Sequence, residues 1–201
     1  MPLPHRVLLV LGSARRTGLG HHLAGVVREE LARRGAEVRV HDLLADGFDP
    51  RLRLAEGERF ARPPSPAEDP LAARYCEDVR WAEVYVLVHP VYWFAPPAIL
   101  KGWIDRIFVH SVAVRQSEEG PPEGILTGRR ALVVQTFGAA KIVDTIVFRS
   151  LAWAFWKRAV FFAVGIQDCD RVALYGVDGI AGKELAAGER RLRAAVERLL
   201  G

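Results

Sequence analysis

"RVLLVLGSARRTGLG", residues 6–20, decides the fold. Residues 6–12 are a continuous apolar run that stops at Gly12. A strand with one wet face alternates polar and apolar residues, whereas an unbroken apolar run fits a strand buried on both faces. After the loop, Leu19, Leu23, Val26, Val27, Glu30 and Leu31 recur at helical spacing, and Gly35 closes that helix. Buried strand, glycine-bearing loop and helix in this order open a parallel sheet.

The pattern repeats. "EVRVHDL" (37–43), "EVYVLVH" (83–89), "RRALVVQT" (129–136) and "RVALYGV" (171–177) read as further strands. Helices are predicted over 71–82, 95–108, 145–166 and about 183–200, the second carrying prolines in its first turn. The expectation is an α/β protein: a five-stranded parallel sheet with helices on both faces, one domain over 1–201. Residues 44–70, with Pro50, Pro63, Pro64, Pro66 and Pro70, read as a long surface excursion. Residues 111–128 read as a second loop.

Composition narrows the function classes. Half the residues are hydrophobic and the formal charge is +4, carried mostly by arginine. That balance attracts phosphate but is too small and scattered to argue for nucleic acid as a partner. Cys76 and Cys169 form no CxxC pair, and no secretory signal opens the chain, so a reduced, cytoplasmic protein is expected. The apolar 145–166 stretch is interrupted by Arg149, Lys157 and Arg158, so it is not read as membrane-spanning. The six histidines lack ligand spacing, and no metal site is expected.

Ligands of such sheets sit beyond the carboxyl ends of the strands. The candidate site is therefore built from the loops after residues 12, 89 and 136. In the first, "GSARRTGLGHH", a helix start offers backbone N–H groups, with Ser13 and Thr17 hydroxyls and the Arg15 and Arg16 charges, to a phosphate. No Lys-Ser/Thr follows Gly18, so the P-loop pattern fails. GxGxxG also fails, although Asp42 resembles the ribose acid of that fingerprint. A phosphate monoester, such as the end of a flavin mononucleotide, fits the loop. The second loop, in "HPVYWFAPPAILKGWIDRIF" (89–108), is stiffened by Pro90, Pro96 and Pro97. Trp93 and Phe94 either pack on a flat heteroaromatic ring or plug the core beneath the following helix. The third loop, "QTFGAAK" (135–141), offers backbone to the other edge of such a ring.

The 89–108 segment, together with "VLLVLGSARRTGLGHHLA", "DLLADGFDP" and the T-x-G loop, resembles the NAD(P)H:quinone oxidoreductase family of flavodoxin-like fold. That family includes quinone reductases, modulators of drug activity and flavoprotein regulators of potassium efflux. The resemblance implies a flavodoxin-like three-layer sandwich and a bound flavin, FMN or alternatively FAD, with NAD(P)H as electron donor. It implies two-electron reduction of a quinone-like acceptor by ping-pong hydride transfer, in a homodimer whose site lies at the interface. By similarity, Ser13, Arg16, Thr17, Leu19 and Gly20 would hold the phosphate end. Pro90, Val91, Tyr92, Trp93 and Phe94 would line the isoalloxazine, and Thr136, Phe137, Gly138 and Ala139 would close its other edge.

The chain departs from the family at the third loop. Ala139 replaces a second glycine, and no Tyr or His occurs between 136 and 174, where the family places a pair that assists transfer. Lys141 and Asp144 are the polar candidates for a catalytic role there. Two further readings use the same residues. One is a flavin-bound regulatory subunit with a membrane transporter as partner; it would not bleach and re-oxidise with NADH and a quinone. The other is a Rossmann-type nucleotide-binding protein without flavin, argued from Asp42 and the glycines; it would stay colourless.

Overall fold

The structure is a computed structural model and describes residues 4–13, 15, 17–52, 62–115, 117 and 120–201. Strand β1 (Arg6–Leu11) leads to helix α1 (Leu19–Arg33) and strand β2 (Glu37–Asp42). Helix α2 (Pro70–Trp81), strand β3 (Val84–Pro90) and helix α3 (Ala98–Ile107) follow. A small antiparallel hairpin, β4 (Val114–Arg115) with β5 (Glu123–Gly124), precedes β6 (Arg130–Thr136). Two short helices, α4 (Leu151–Ala154) and α5 (Phe162–Val164), then β7 (Asp168–Leu174) and α6 (Gly182–Leu200), complete the order.

The main sheet runs β2-β1-β3-β6-β7 with every pair parallel, the flavodoxin-like order. Side chains alternate across it into two cores. Leu8, Val10, Tyr85, Leu87, Ala131 and Val133 face one layer, with Trp103 of α3 and Tyr75 of α2. Val7, Leu9, Val84, Val86, Leu132 and Val134 face the other, with Leu23 and Val27 of α1 and Leu192 and Val196 of α6. This is why β1 and β3 read as unbroken apolar runs: neither face meets water. Each such buried aliphatic contributes about 1.5–3 kcal/mol.

Register brings the strand ends to one edge. Leu11 stands opposite Asp42 and Val88, Pro90 opposite Thr136, and Thr136 opposite Leu174. The loops after β1, β3, β6 and β7 therefore emerge side by side.

Three expectations need correction. The last strand begins at Asp168 and ends at Leu174, not over 171–177. It is the sheet edge, so its first half is polar, as edge strands tolerate, and the apolar pattern starts only where α6 covers Val172 and Leu174. The 145–166 helix is broken: Val143–Val147 is a π-helical turn, Arg149 and Ser150 take φ of 48° and 56°, and Phe155–Phe161 is again π-helical. A π-turn aligns residues five apart, which puts both Trp156 and Phe161 into the core with rings 5.5 Å apart. The 111–128 segment contains the hairpin. Gly124 is required there, because a β-carbon would lie 2.3 Å from the backbone of Val164.

The helix after the aromatic loop starts at Ala98, with Pro97 as its cap residue. From it, buried Arg106 donates to the Asp49 carbonyl (2.6 Å) and to Asp69 Oδ2 (2.8 Å). Asp69 also caps α2 by accepting from Ala72 N at 3.0 Å. One guanidinium thus ties both described ends of the long excursion to α3. Among the described residues no helix is long and apolar enough to cross a membrane.

Candidate functional site

At the carboxyl edge of the sheet lies a cavity of about 550 Å3. Ser13, Arg15, Thr17, Gly18, Leu19 and Gly20 line it from the β1–α1 loop. Pro90, Val91 and Tyr92 line it from the β3–α3 loop, and Thr136 and Gly138 from the loop after β6. Val177, Asp178 and Gly179 add a fourth loop, after β7. The volume lies within the range of small-molecule sites.

The first loop leaves hydrogen-bond donors at the start of α1 without side-chain acceptors. Gly18 precedes α1 with φ 128°, a conformation that L side chains rarely adopt. No side chain caps α1, and its first turn carries no acidic residue. Its leading N–H groups are thus left for a ligand, beside the Thr17 hydroxyl and the buried Ser13. Ser13 Oγ accepts from Arg15 N at 3.2 Å, which folds the loop back toward the helix start. Arg16, expected at the phosphate, lies outside the described residues.

The second loop is a tight turn. Tyr92 and Ala95 exchange both backbone hydrogen bonds at 3.0 Å, and Trp93 and Phe94 between them take φ of 51° and 58°. Two left-handed residues in succession define a turn that normally demands Asn-Gly. Placing two large aromatics there costs on the order of 1–3 kcal/mol each. Neither lines the cavity, and Trp93 does not plug the core. Trp93 is 98 % exposed, and Phe94 stacks on Phe148 with ring centroids 3.7 Å apart. The turn swings both rings outward and leaves Pro90, Val91 and Tyr92 to face inward. Val91 N donates to the Thr136 carbonyl at 2.8 Å and ties this loop to the next.

The third and fourth loops are zipped together. Phe137 N donates to the Leu174 carbonyl (2.8 Å), Val177 N to the Phe137 carbonyl (3.0 Å) and Gly176 N to the Ala139 carbonyl (3.1 Å). Phe137 turns under the loop and stacks on Tyr175 at 4.8 Å. Phe137 and Ala139 thus form the scaffold while Thr136 and Gly138 face the cavity. The fourth loop is hidden in the sequence because the polar start of the edge strand shifts its apparent end three residues late, to 177 instead of Leu174. The rule that sites follow strand ends finds it once β7 stops at Leu174.

Neither catalytic candidate lines the cavity. Lys141 is exposed. Asp144 is fully buried, and its Oδ2 accepts from Tyr175 Oη at 2.8 Å and Arg171 Nη1 at 3.2 Å. Burial, then the Asp144 carboxylate, pushes the Tyr175 phenol up to about 12. Asp144 braces the two zipped loops from below. Tyr175 stands one residue past the window in which no tyrosine occurs, and reaches the same loop from the neighbouring strand.

His89 also acts from beneath. Trp156 Nε1–H donates to its Nε2 at 2.9 Å, so the proton is on Nδ1, which donates to the Pro90 carbonyl at 2.7 Å. Burial pushes His89 down to about 4 against the opposing pull of that carbonyl. At the other end of the site His21 Nε2 is 3.4 Å from Asp42 Oδ2. Among the described residues no group of His, Cys, Asp and Glu is arranged to hold a metal.

Comparison with known proteins agrees with this architecture. The model of the flavodoxin-like fold family matches residues 5–198. NAD(P)H dehydrogenase [quinone] 1 of Cavia porcellus is 33 % identical over 86 % of this chain and 69 % of its own length. FMN-dependent NADH:quinone oxidoreductase 3 of Pseudomonas aeruginosa is 33 % identical over 62 % of this chain, which spans 57 % of that relative. The solved NAD(P)H:quinone oxidoreductase of Methanothermobacter marburgensis superposes with a TM-score of 0.80 over 98 % of this chain and 100 % of its own, at 20 % identity, a likeness of fold. With the sheet order, the strand-end cavity and these matches together, the chain belongs to the NAD(P)H:quinone oxidoreductase family of flavodoxin-like fold.

Proposed function

We propose that this chain is a flavin-dependent NAD(P)H oxidoreductase that reduces quinones or similar acceptors by two electrons. The observation that carries the reading is the convergence of three loops, read separately in the sequence as phosphate, ring and ring-edge binders, on one cavity. Ser13, Thr17 and the uncapped start of α1 would hold the phosphate end. Pro90, Val91, Tyr92, Thr136 and Gly138 would border the ring. FMN is favoured: the name of the Pseudomonas aeruginosa relative specifies it, and a single phosphate loop suits a mononucleotide. FAD is the alternative, and the mass of the released cofactor distinguishes the two.

A bound flavin would supply the two-electron transfer between NAD(P)H and quinone. The residues of this chain supply position. The Val91–Thr136 hydrogen bond holds the second loop against the third, and the His89–Pro90 bond fixes the start of the second. Such fixed geometry is worth several kcal/mol of barrier. Tyr92, Val91 and Pro90 wall one side of the cavity, which suits planar donors and acceptors that take turns at one face.

A homodimer fits the same surface. Trp93, Ile142, Ile146, Val147, Leu151 and Phe162 are exposed, and a second copy would cover them. A cytoplasmic setting suits the two free cysteines. The test is anaerobic mixing of the purified yellow protein with NADH or NADPH, then with a quinone. Bleaching followed by return of colour supports the reading. A colourless protein that takes up no flavin overturns it.

A further inference from the structure

Asp178 is the only carboxylate among the described residues that line the cavity. It is exposed, and no hydrogen bond or ion pair with a described residue engages it. Its Oδ2 lies 3.3 Å from where a β-carbon on Gly138 would stand, so the charge sits directly against the third loop. The Asp178 loop follows β7, which is three strand positions from β1 in the sheet. A ring bordered by Thr136 and Gly138 therefore lies beside Asp178.

We propose that Asp178 sets the redox poise of the bound flavin, its unpaired carboxylate disfavouring the reduced, negatively charged ring and so lowering the reduction potential. This rests on the flavin reading above. A like charge beside the ring raises the energy of the anionic form and leaves the neutral oxidised form almost untouched. The effect is on the ratio of affinities for the two forms, not on affinity as such. A low potential favours passing electrons onward to the acceptor.

The test is the two-electron reduction potential, measured anaerobically against reference dyes for the parent, Asp178→Asn and Asp178→Glu. The Asn variant keeps the shape and loses the charge; the Glu variant keeps the charge. Expected is about a tenfold shift toward the reduced form in D178N, a rise of roughly 30 mV for a two-electron couple, with D178E near the parent. Direct titration should show D178N binding reduced flavin tenfold more tightly relative to oxidised flavin than the parent does. An unchanged potential overturns the proposal, whether or not affinity for the two forms moves in parallel, since that pattern assigns Asp178 a holding role only. A parent that binds no flavin overturns the underlying reading instead, and is seen before any variant is made.

Discussion

The indole of Trp156 donates to Nε2 of His89 across 2.9 Å inside the protein, and thereby decides which nitrogen of that imidazole faces the site. The other nitrogen donates to the Pro90 carbonyl, at the lip of the cavity. A residue on a π-helical turn thus sets the orientation of the loop that leaves the end of β3.

Stability should fall with acid through this pair. His89 titrates near 4 in the folded protein and near 6.5 when unfolded, so between those values the unfolded chain holds a proton that the folded chain refuses. The loss builds as pH drops from about 6.5 to 4, amounts to about 3 kcal/mol in total, and is flat above that window. Urea midpoints of the parent and of His89→Gln across this range measure it. The variant should start less stable and show the shallower slope; equal slopes would assign the acid sensitivity elsewhere.

The Trp93–Phe94 turn trades stability for surface. Trp93→Gly relieves one left-handed residue and removes a side chain that packs on little within its own chain. The folded monomer should hold steady or gain about 1 kcal/mol. Quinone turnover and self-association should both weaken, kcat/KM by about tenfold. Thermal melting, sedimentation and kinetics on one preparation separate the effects. Loss of all three together would mean that the side chain supports the fold itself.

Asp144 should behave as a brace. Asp144→Ala leaves Arg171 and Tyr175 without their shared acceptor, at a cost of about 3 kcal/mol. Tyr175→Phe should cost about 1 kcal/mol. Flavin affinity should drop in both, while the pH profile of turnover keeps its shape. Lys141→Ala, on the exposed side of the same loop, should leave turnover within about twofold. A shifted pH profile in the Asp144 variant would restore it to the chemistry.

The first loop should distinguish the phosphate from the ring. Ser13→Ala and Thr17→Ala should each weaken FMN binding by about five- to tenfold and leave riboflavin binding unchanged. Fluorescence titration with both ligands reads the difference. Equal losses for the two would move the phosphate elsewhere.

Much of this was legible from the sequence. Buried strands announce themselves because both faces are apolar, and β1, β3 and β6 fall within one or two residues of the sequence reading. The three loops follow from strand order, and nine of the residues expected at the site line the cavity. What escaped was local. The edge strand β7 is half polar, so periodicity misplaced its end and hid Val177, Asp178 and Gly179. The run 145–166 has helical composition, but the break at Arg149 and Ser150 rests on backbone geometry that no residue pattern displays. Trp93 and Phe94 occupy a turn type whose signature is Asn-Gly, so composition gave no hint that their rings face outward.

The most direct test of the account is titration of the flavin-stripped protein with FMN. The account predicts one FMN per chain, bound with a Kd below about 1 µM and lost stepwise in the Ser13 and Thr17 variants. Absence of saturable binding, or binding that those variants leave untouched, would contradict it.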